Sequence, residues 1–206
     1  MLGGYLNNET TIEKPLVVGI SGASGSIIAS KLVDALIERD IHVALIVSHA
    51  SRIVWKQEMD ESFGEFLERK IQTGKVKNYH IGDIQAPMAS GTYPIRGMVI
   101  VPCSMATVAA LATGLADNLL RRTADVCFKE RRPITIVPRE TPLSQLHLEN
   151  LSKLANMGAN IMPPQPAFYL KPNSLDDVVE FLVQRLLMTC GITDELPQNI
   201  RYNGPN

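Results

Sequence analysis

The chain is short of the residues that mark several common chemistries. Its 206 residues include only three cysteines, Cys103, Cys127 and Cys190, and no C-x-x-C pair. An odd, scattered set excludes a disulfide framework and fits a reducing compartment, so a cytoplasmic location is expected. The four histidines, His42, His49, His80 and His147, share no close ligand spacing, and no metal site is expected. There is no charge excess: 20 Lys and Arg face 21 Asp and Glu, a net −1. That balance gives no reason to expect nucleic acid or a membrane surface as a partner. No apolar run is long enough to span a bilayer. Residues 1–14 include Asn7, Asn8 and Glu9 and lack an apolar h-region. They read as a flexible N-terminal extension rather than a secretory signal. No internal repeat or linker follows, so one domain is expected over 15–192, with an irregular C-terminal tail over 193–206.

What is present begins at Pro15. Leu16 to Ile20 is a short, β-branched apolar run, suited to a strand buried on both faces. Gly22, Ala23, Ser24 and Gly25 form a turn of small residues. Ile28, Leu32, Ala35 and Leu36 then recur at helical spacing. A strand, a small turn and a helix leave free N–H groups at the helix start, which suit a phosphate. The glycines are spaced G-x-x-G-x-x-G (Gly19, Gly22, Gly25), not G-x-G-x-x-G. The second strand, His42 to Val47, is followed by Ser48-His49 rather than by an acid to hold a ribose. A mononucleotide such as FMN is therefore favoured over NAD.

The same grammar continues along the chain. Helices are expected over Ala50–Gln57, within Asp60–Gly74, through the small-residue run after Thr107, and over Asn118–Glu130, Leu146–Met157 and Leu175–Cys190. Strands are expected at Val76–Tyr79, Gly97–Val101, Ile134–Val137 and Asn160–Met162. Ile81–Arg96 and Pro163–Pro172 read as loops, the former long enough to suggest a site or an interface. Alternating strands and helices predict an α/β, Rossmann-like (flavodoxin-like), three-layer αβα fold with a mainly parallel sheet.

In such a sheet, ligands bind beyond the carboxyl ends of the strands. Ser21 to Ser24, Ser48, Ser104 to Thr107, and Arg139 with Glu140 all leave strands at that edge. Hydroxyls and small residues there suit a flat, polar heterocycle carrying a phosphate. Arg122, Lys129 and Arg185 are further cations and Tyr169 a further donor, enough for a second phosphate-bearing ligand. Glu58 closes a helix beside Trp55; an exposed helix position is the plain reading of its composition, and a proton relay beside a bound ring the functional one. The π face of Trp55 is one candidate to meet a cation, and a core position is the other.

A resemblance enters on G-A-S-G at Gly22–Gly25, P-C-S-M-A-T at Pro102–Thr107, A-D-V-C-F-K-E-R-R-P at Ala124–Pro133 and V-P-R-E-T-P at Val137–Pro142. With H-L-E-N at His147–Asn150 and P-x-F-Y ending at Tyr169, the chain resembles the UbiX flavin prenyltransferases from Pro15 to Ile192. The resemblance implies a homododecameric flavoprotein that needs no metal. It would transfer a dimethylallyl group from dimethylallyl phosphate to N5 of reduced FMN and close a fourth ring at C6. The prenylated FMN would serve a UbiD-type decarboxylase. Carried over by motif, Gly22, Ala23, Ser24, Ser48, Ser104, Met105, Ala106, Thr107 and Arg139 would bind FMN. Tyr169 and Arg185 would hold the prenyl phosphate, with Lys129 and the Ser90-Gly91 loop close by. Ser24, Glu58 and Glu140 match proton-handling positions, and Arg122 a basic site residue. Lys129, Arg185 and Tyr169 would stabilise the leaving phosphate. The family often carries a tail tryptophan where this chain has Tyr202.

Two other readings compete. A phosphopantothenoylcysteine-type decarboxylase shares the fold and FMN. It would carry a histidine in the loop that here reads A-P-M-A-S-G-T-Y, and an asparagine in the turn that here reads P-C-S-M-A-T. A non-catalytic flavin carrier would need FMN but not Lys129, Arg185 or Tyr169.

Overall fold

The computed structural model describes residues 14–202 and 204. Four apolar runs become strands β1 (Leu16–Ile20), β2 (Val43–Val47), β4 (Gly97–Cys103) and β5 (Ile134–Pro138); a mixed edge strand β3 (Val76–Tyr79) and a two-residue β6 (Asn160–Ile161) complete the set. They form one sheet in the order β3-β2-β1-β4-β5-β6, with every neighbouring pair parallel. The winding reverses between β1 and β4, which makes their carboxyl ends the topological switch point.

Successive strand side chains point to opposite faces, so the central strands feed two cores. Leu16, Val18, Ile20, Leu45 and Val99 face one side, with α1 (Ser26–Glu38) and α7 (Leu175–Thr189). Val17, Ile46, Met98, Ile100 and Ile136 face the other, with α4 (Met105–Ala112), α5 (Leu119–Lys129) and α6 (Gln145–Asn156). This is the expected three-layer αβα arrangement. α2 (His49–Glu58) and α3 (Phe63–Ile71) flank the first face.

Trp55 belongs to that core. It is 1% exposed, donates from Nε1 to the Glu61 carbonyl at 2.9 Å, and packs on Phe63 and Phe66 with centroids 5.3 and 4.6 Å away. Its large apolar area outweighs any π role once Phe63 and Phe66 offer partners.

Six of the seven α-helices among the described residues start on a Ser or Asn side-chain cap: Ser48, Ser62, Ser104, Asn118, Ser144 and Ser174. α1 is the exception. It starts on Gly25, whose φ of 121° favours glycine and leaves no side chain to cap with.

The differences from the sequence reading are local. β2 starts one residue later than expected, α4 takes in Met105 to Thr107, and β6 is shorter. The Pro163–Pro172 loop carries a 3₁₀ turn at Phe168–Leu170. The proposed N-terminal extension falls outside the described residues, apart from Lys14. No helix among the described residues is long and apolar enough to cross a membrane.

Candidate flavin site at the sheet switch point

Three hydrogen bonds tie the turns after β1 and β4 together. Ser21 N–H donates to the Pro102 carbonyl at 3.1 Å. Ser21 Oγ accepts from Ser104 N–H at 2.8 Å and donates to the same carbonyl at 3.3 Å. Ser104 Oγ in turn accepts from Thr107 N–H at 3.3 Å, capping α4, and meets Thr107 Oγ1 at 3.1 Å. On the other flank, Ser48 N–H donates to the Ile20 carbonyl at 2.9 Å and Ser48 Oγ caps α2. Gly22 lies against α2: a Cβ there would sit 2.5 Å from the Ala50 Cβ. Glycine is what lets the β1 turn and α2 approach.

Between these turns opens a cleft of about 290 Å³. Gly22, Ala23, Ser24, Glu58, Ser104, Met105, Arg139 and Glu140 line it, all of them read from the sequence. Val54 and Gln57 join them unforeseen. The signal was present, because Val54, Gln57 and Glu58 fall at i, i+3 and i+4 on one face of α2. Arg139 leaves β5 with its N–H on the Cys103 carbonyl at 3.1 Å, and its guanidinium makes no ion pair among the described residues. Cys103 is buried beneath the turn, and that burial pushes its thiol up to about 12, so it is no nucleophile at neutral pH.

The start of α1, expected to bind a phosphate, already holds an anion. Glu58 Oε2 accepts from Gly25 N–H at 3.0 Å and Ser26 N–H at 2.8 Å, with Oε1 at 3.2 Å from Gly25 N. Partial burial opposes the charge of Glu58. Hydrogen bonds from Ser24, Ser26 and Gly25 outweigh it and hold the carboxyl below its usual range. The chain thus caps its capless helix with an acid from α2, and the free N–H groups inferred from the glycine turn are not free.

The remaining residues fall outside the cleft. Thr107 is buried beneath Ser104, while Ala106 is exposed on α4 and Ser48 caps α2, none of them lining it. Lys129 ends α5, five positions before β5 starts at Ile134. A helix end that precedes a parallel strand lies at the amino edge of the sheet, the opposite rim from the cleft. The Ser90-Gly91 loop runs along α5 to the same rim, where Gly91 meets the Lys129 ammonium. Arg122 points at that loop, donating from Nε to the Ala89 carbonyl at 3.1 Å while Nη1 pairs with Asp125 at 2.6 Å. Tyr169 and Arg185 belong to the β6–α7 side, on the other sheet face from α5. Tyr169 is 59% exposed and packs edge-on to Tyr202, with centroids 5.8 Å apart. One chain therefore does not bring Lys129, Arg185 and Tyr169 together, because the sheet stands between them.

A doubly wound sheet with a hydroxyl-lined cleft at its switch point defines a mononucleotide-binding α/β protein. The sequence profile of the family described as Flavoprotein matches residues 5–187. Flavin prenyltransferase UbiX of Chlamydia pneumoniae is 46% identical over 185 residues, covering 89% of this chain and 95% of the relative. A crystal structure of UbiX in complex with FMN and dimethylallyl pyrophosphate is similar at a TM-score of 0.84 and 37% identity, over 94% of this chain and 100% of that one. A dodecameric FMN-dependent UbiX-like decarboxylase from Escherichia coli O157:H7 gives a TM-score of 0.84 at 36% identity, over 92% and 100%. The chain belongs to the UbiX flavin prenyltransferase family of flavoproteins.

Proposed function

We propose that the protein is a flavin prenyltransferase, acting through a domain that spans 15–192. It moves a dimethylallyl group from dimethylallyl phosphate to N5 of reduced FMN and closes a fourth ring at C6. The observation that carries the reading is the switch-point cleft, where three of the family's motifs meet through Gly22 to Ser24, Ser104 with Met105, and Arg139 with Glu140. Its donor set fits FMN. Hydroxyls of Ser24 and Ser104 and the unpaired Arg139 guanidinium suit a polar ring edge, and Gly22 and Ala23 leave room for a flat heterocycle. Since Glu58 holds the start of α1, the flavin phosphate falls to the helix starts capped by Ser48 and Ser104.

Bound reduced flavin supplies the nucleophilic nitrogen. The chain's own residues do the rest. Glu58, through Ser24, accepts the proton released at the acceptor atom, and Glu140 handles a second. Lys129, Arg185 and Tyr169 stabilise the charge that develops as phosphate departs. Closure of the site keeps water from the allylic cation.

The donor groups lie on a different rim and face from the cleft, so we infer that neighbouring copies complete each centre. A homo-oligomer, a dodecamer as in the Escherichia coli relative, would bring one copy's Lys129 loop and another's α7 to a third copy's flavin. The product is suited to a UbiD-type decarboxylase, and three cysteines without a disulfide fit a cytoplasmic setting.

The test is anaerobic incubation with reduced FMN and either dimethylallyl phosphate or its pyrophosphate, the donor present in the related crystal structure. The expected product is a flavin heavier by C5H8, with phosphate or pyrophosphate released. Unchanged flavin mass with both donors refutes the reading.

A further inference from the structure

Arg132 follows α5 and has no part in the family motif roles carried over above. Arg131 takes a left-handed φ of 53°, and Arg132 N–H returns to the Cys127 carbonyl at 2.8 Å. That turn aims the Arg132 side chain along the loop before β4. Its Nη1 donates to the Tyr93 carbonyl at 2.8 Å and its Nη2 donates to the Gly91 carbonyl. Arg122 takes the Ala89 carbonyl at 3.1 Å. Two guanidinium groups thus hold the carbonyls of residues 89, 91 and 93, every second position of one loop.

The other contacts of that loop are polar and include one ion pair. Ser90 Oγ lies 2.9 Å from Thr92 Oγ1 and accepts from Thr92 N–H at 3.3 Å. Gly91 N–H donates no hydrogen bond among the described residues. A Cβ on Gly91 would meet the Glu130 carboxylate first and the Lys129 Nζ at 2.6 Å, so the Lys129–Glu130 ion pair lies directly against this backbone. Carbonyl oxygens turned toward a phosphate would repel it, and a guanidinium fork can take two of them at once.

We propose that Arg132 is a positioning residue for the phosphate of the prenyl donor. It withdraws the Gly91 and Tyr93 carbonyls from the phosphate seat and leaves the Gly91 N–H and the Ser90 and Thr92 hydroxyls to face the anion, which takes Lys129 over from its partner Glu130. This deepens the prenyltransferase reading and rests on it for the identity of the donor. Arg132 itself touches neither flavin nor donor.

The experiment uses the assembled protein and the variants Arg132→Gln and Arg132→Lys. Donor KM, FMN affinity and binding of inorganic phosphate to the flavin-free protein are measured together. In Arg132→Gln, donor KM and the phosphate dissociation constant should both rise about tenfold or more, while FMN affinity stays within about twofold. Arg132→Lys should recover part of the loss, because one ammonium can hold one of the carbonyls. Phosphate binding and donor KM at the wild-type level in Arg132→Gln would overturn the proposal. So would an equal loss of FMN affinity, which would mark a general structural role. The phosphate measurement needs no turnover, so it decides this point even where the mass assay refutes prenyl transfer.

Discussion

Glu58→Ala removes the acceptor on which α1 begins. Gly25 N–H and Ser26 N–H, now 3.0 and 2.8 Å from Oε2, lose their partner, and the helix start loses its negative charge. Loss of a helix cap costs about 1 kcal/mol, and loss of a charge at a helix N-terminus about 0.3–1 kcal/mol. Glu58 is solvent-exposed, so screening holds the sum near the low end, about 1 kcal/mol. For a chain of 206 residues this lowers Tm by about 2–4 °C. Circular dichroism melts of flavin-free protein at low ionic strength read it directly. Glu58→Gln keeps the shape and loses the charge, so it should fall between wild type and Glu58→Ala. The sign with pH follows from the depressed carboxyl. Its stabilisation is complete above the unfolded-chain value and disappears as pH falls through the lower folded value. The gap between wild type and Glu58→Gln should therefore be full at about pH 7 and shrink as pH falls through the acid range. Inorganic phosphate should restore part of the Glu58→Ala loss, since the exposed N–H groups become an anion seat. Equal melting of wild type and Glu58→Ala, or a gap that ignores pH, would refute the capping role.

Gly22→Ala places a methyl 2.5 Å from the Ala50 Cβ and 3.3 Å from its carbonyl carbon, so the start of α2 must shift. We expect a cost of about 1–3 kcal/mol and weakened FMN binding, read by melting and flavin titration. Unaltered affinity would show that the α2 approach does not shape the cleft. Arg185→Ala should keep yellow, FMN-bound protein while donor turnover falls about 10–100-fold. Colourless Arg185→Ala protein would instead assign Arg185 to flavin binding.

The sheet and most of the cleft were legible because they are local. Leu16–Ile20 announces a two-face-buried strand, and the small residues after it announce a turn that nothing bulky can fill. P-C-S-M-A-T at the end of β4 repeats that message. Glu58 at the α1 start was not legible, because the contacts join residues 32 and 33 positions apart and depend on where α2 lands. Trp55 was ambiguous for the same reason: only Phe63 and Phe66, one helix later, decide its side. The separation of Lys129 from the cleft was in the pattern all along. A cation that ends a helix just before a parallel strand stands at the far rim, a rule of direction rather than of residue type. The 89–93 loop showed itself only as a long segment without periodicity. Its two arginine clamps, Arg122 on α5 and Arg132 just beyond it, follow the loop in the chain.

The opposition of the two rims has a genetic consequence in the proposed assembly. Each polypeptide lends parts to reactions completed on its neighbours, so competence belongs to the shell and not to the molecule. A lesion at Lys129 would silence a neighbour's flavin and spare its own, and two different cripples, mixed in one shell, would leave some centres whole.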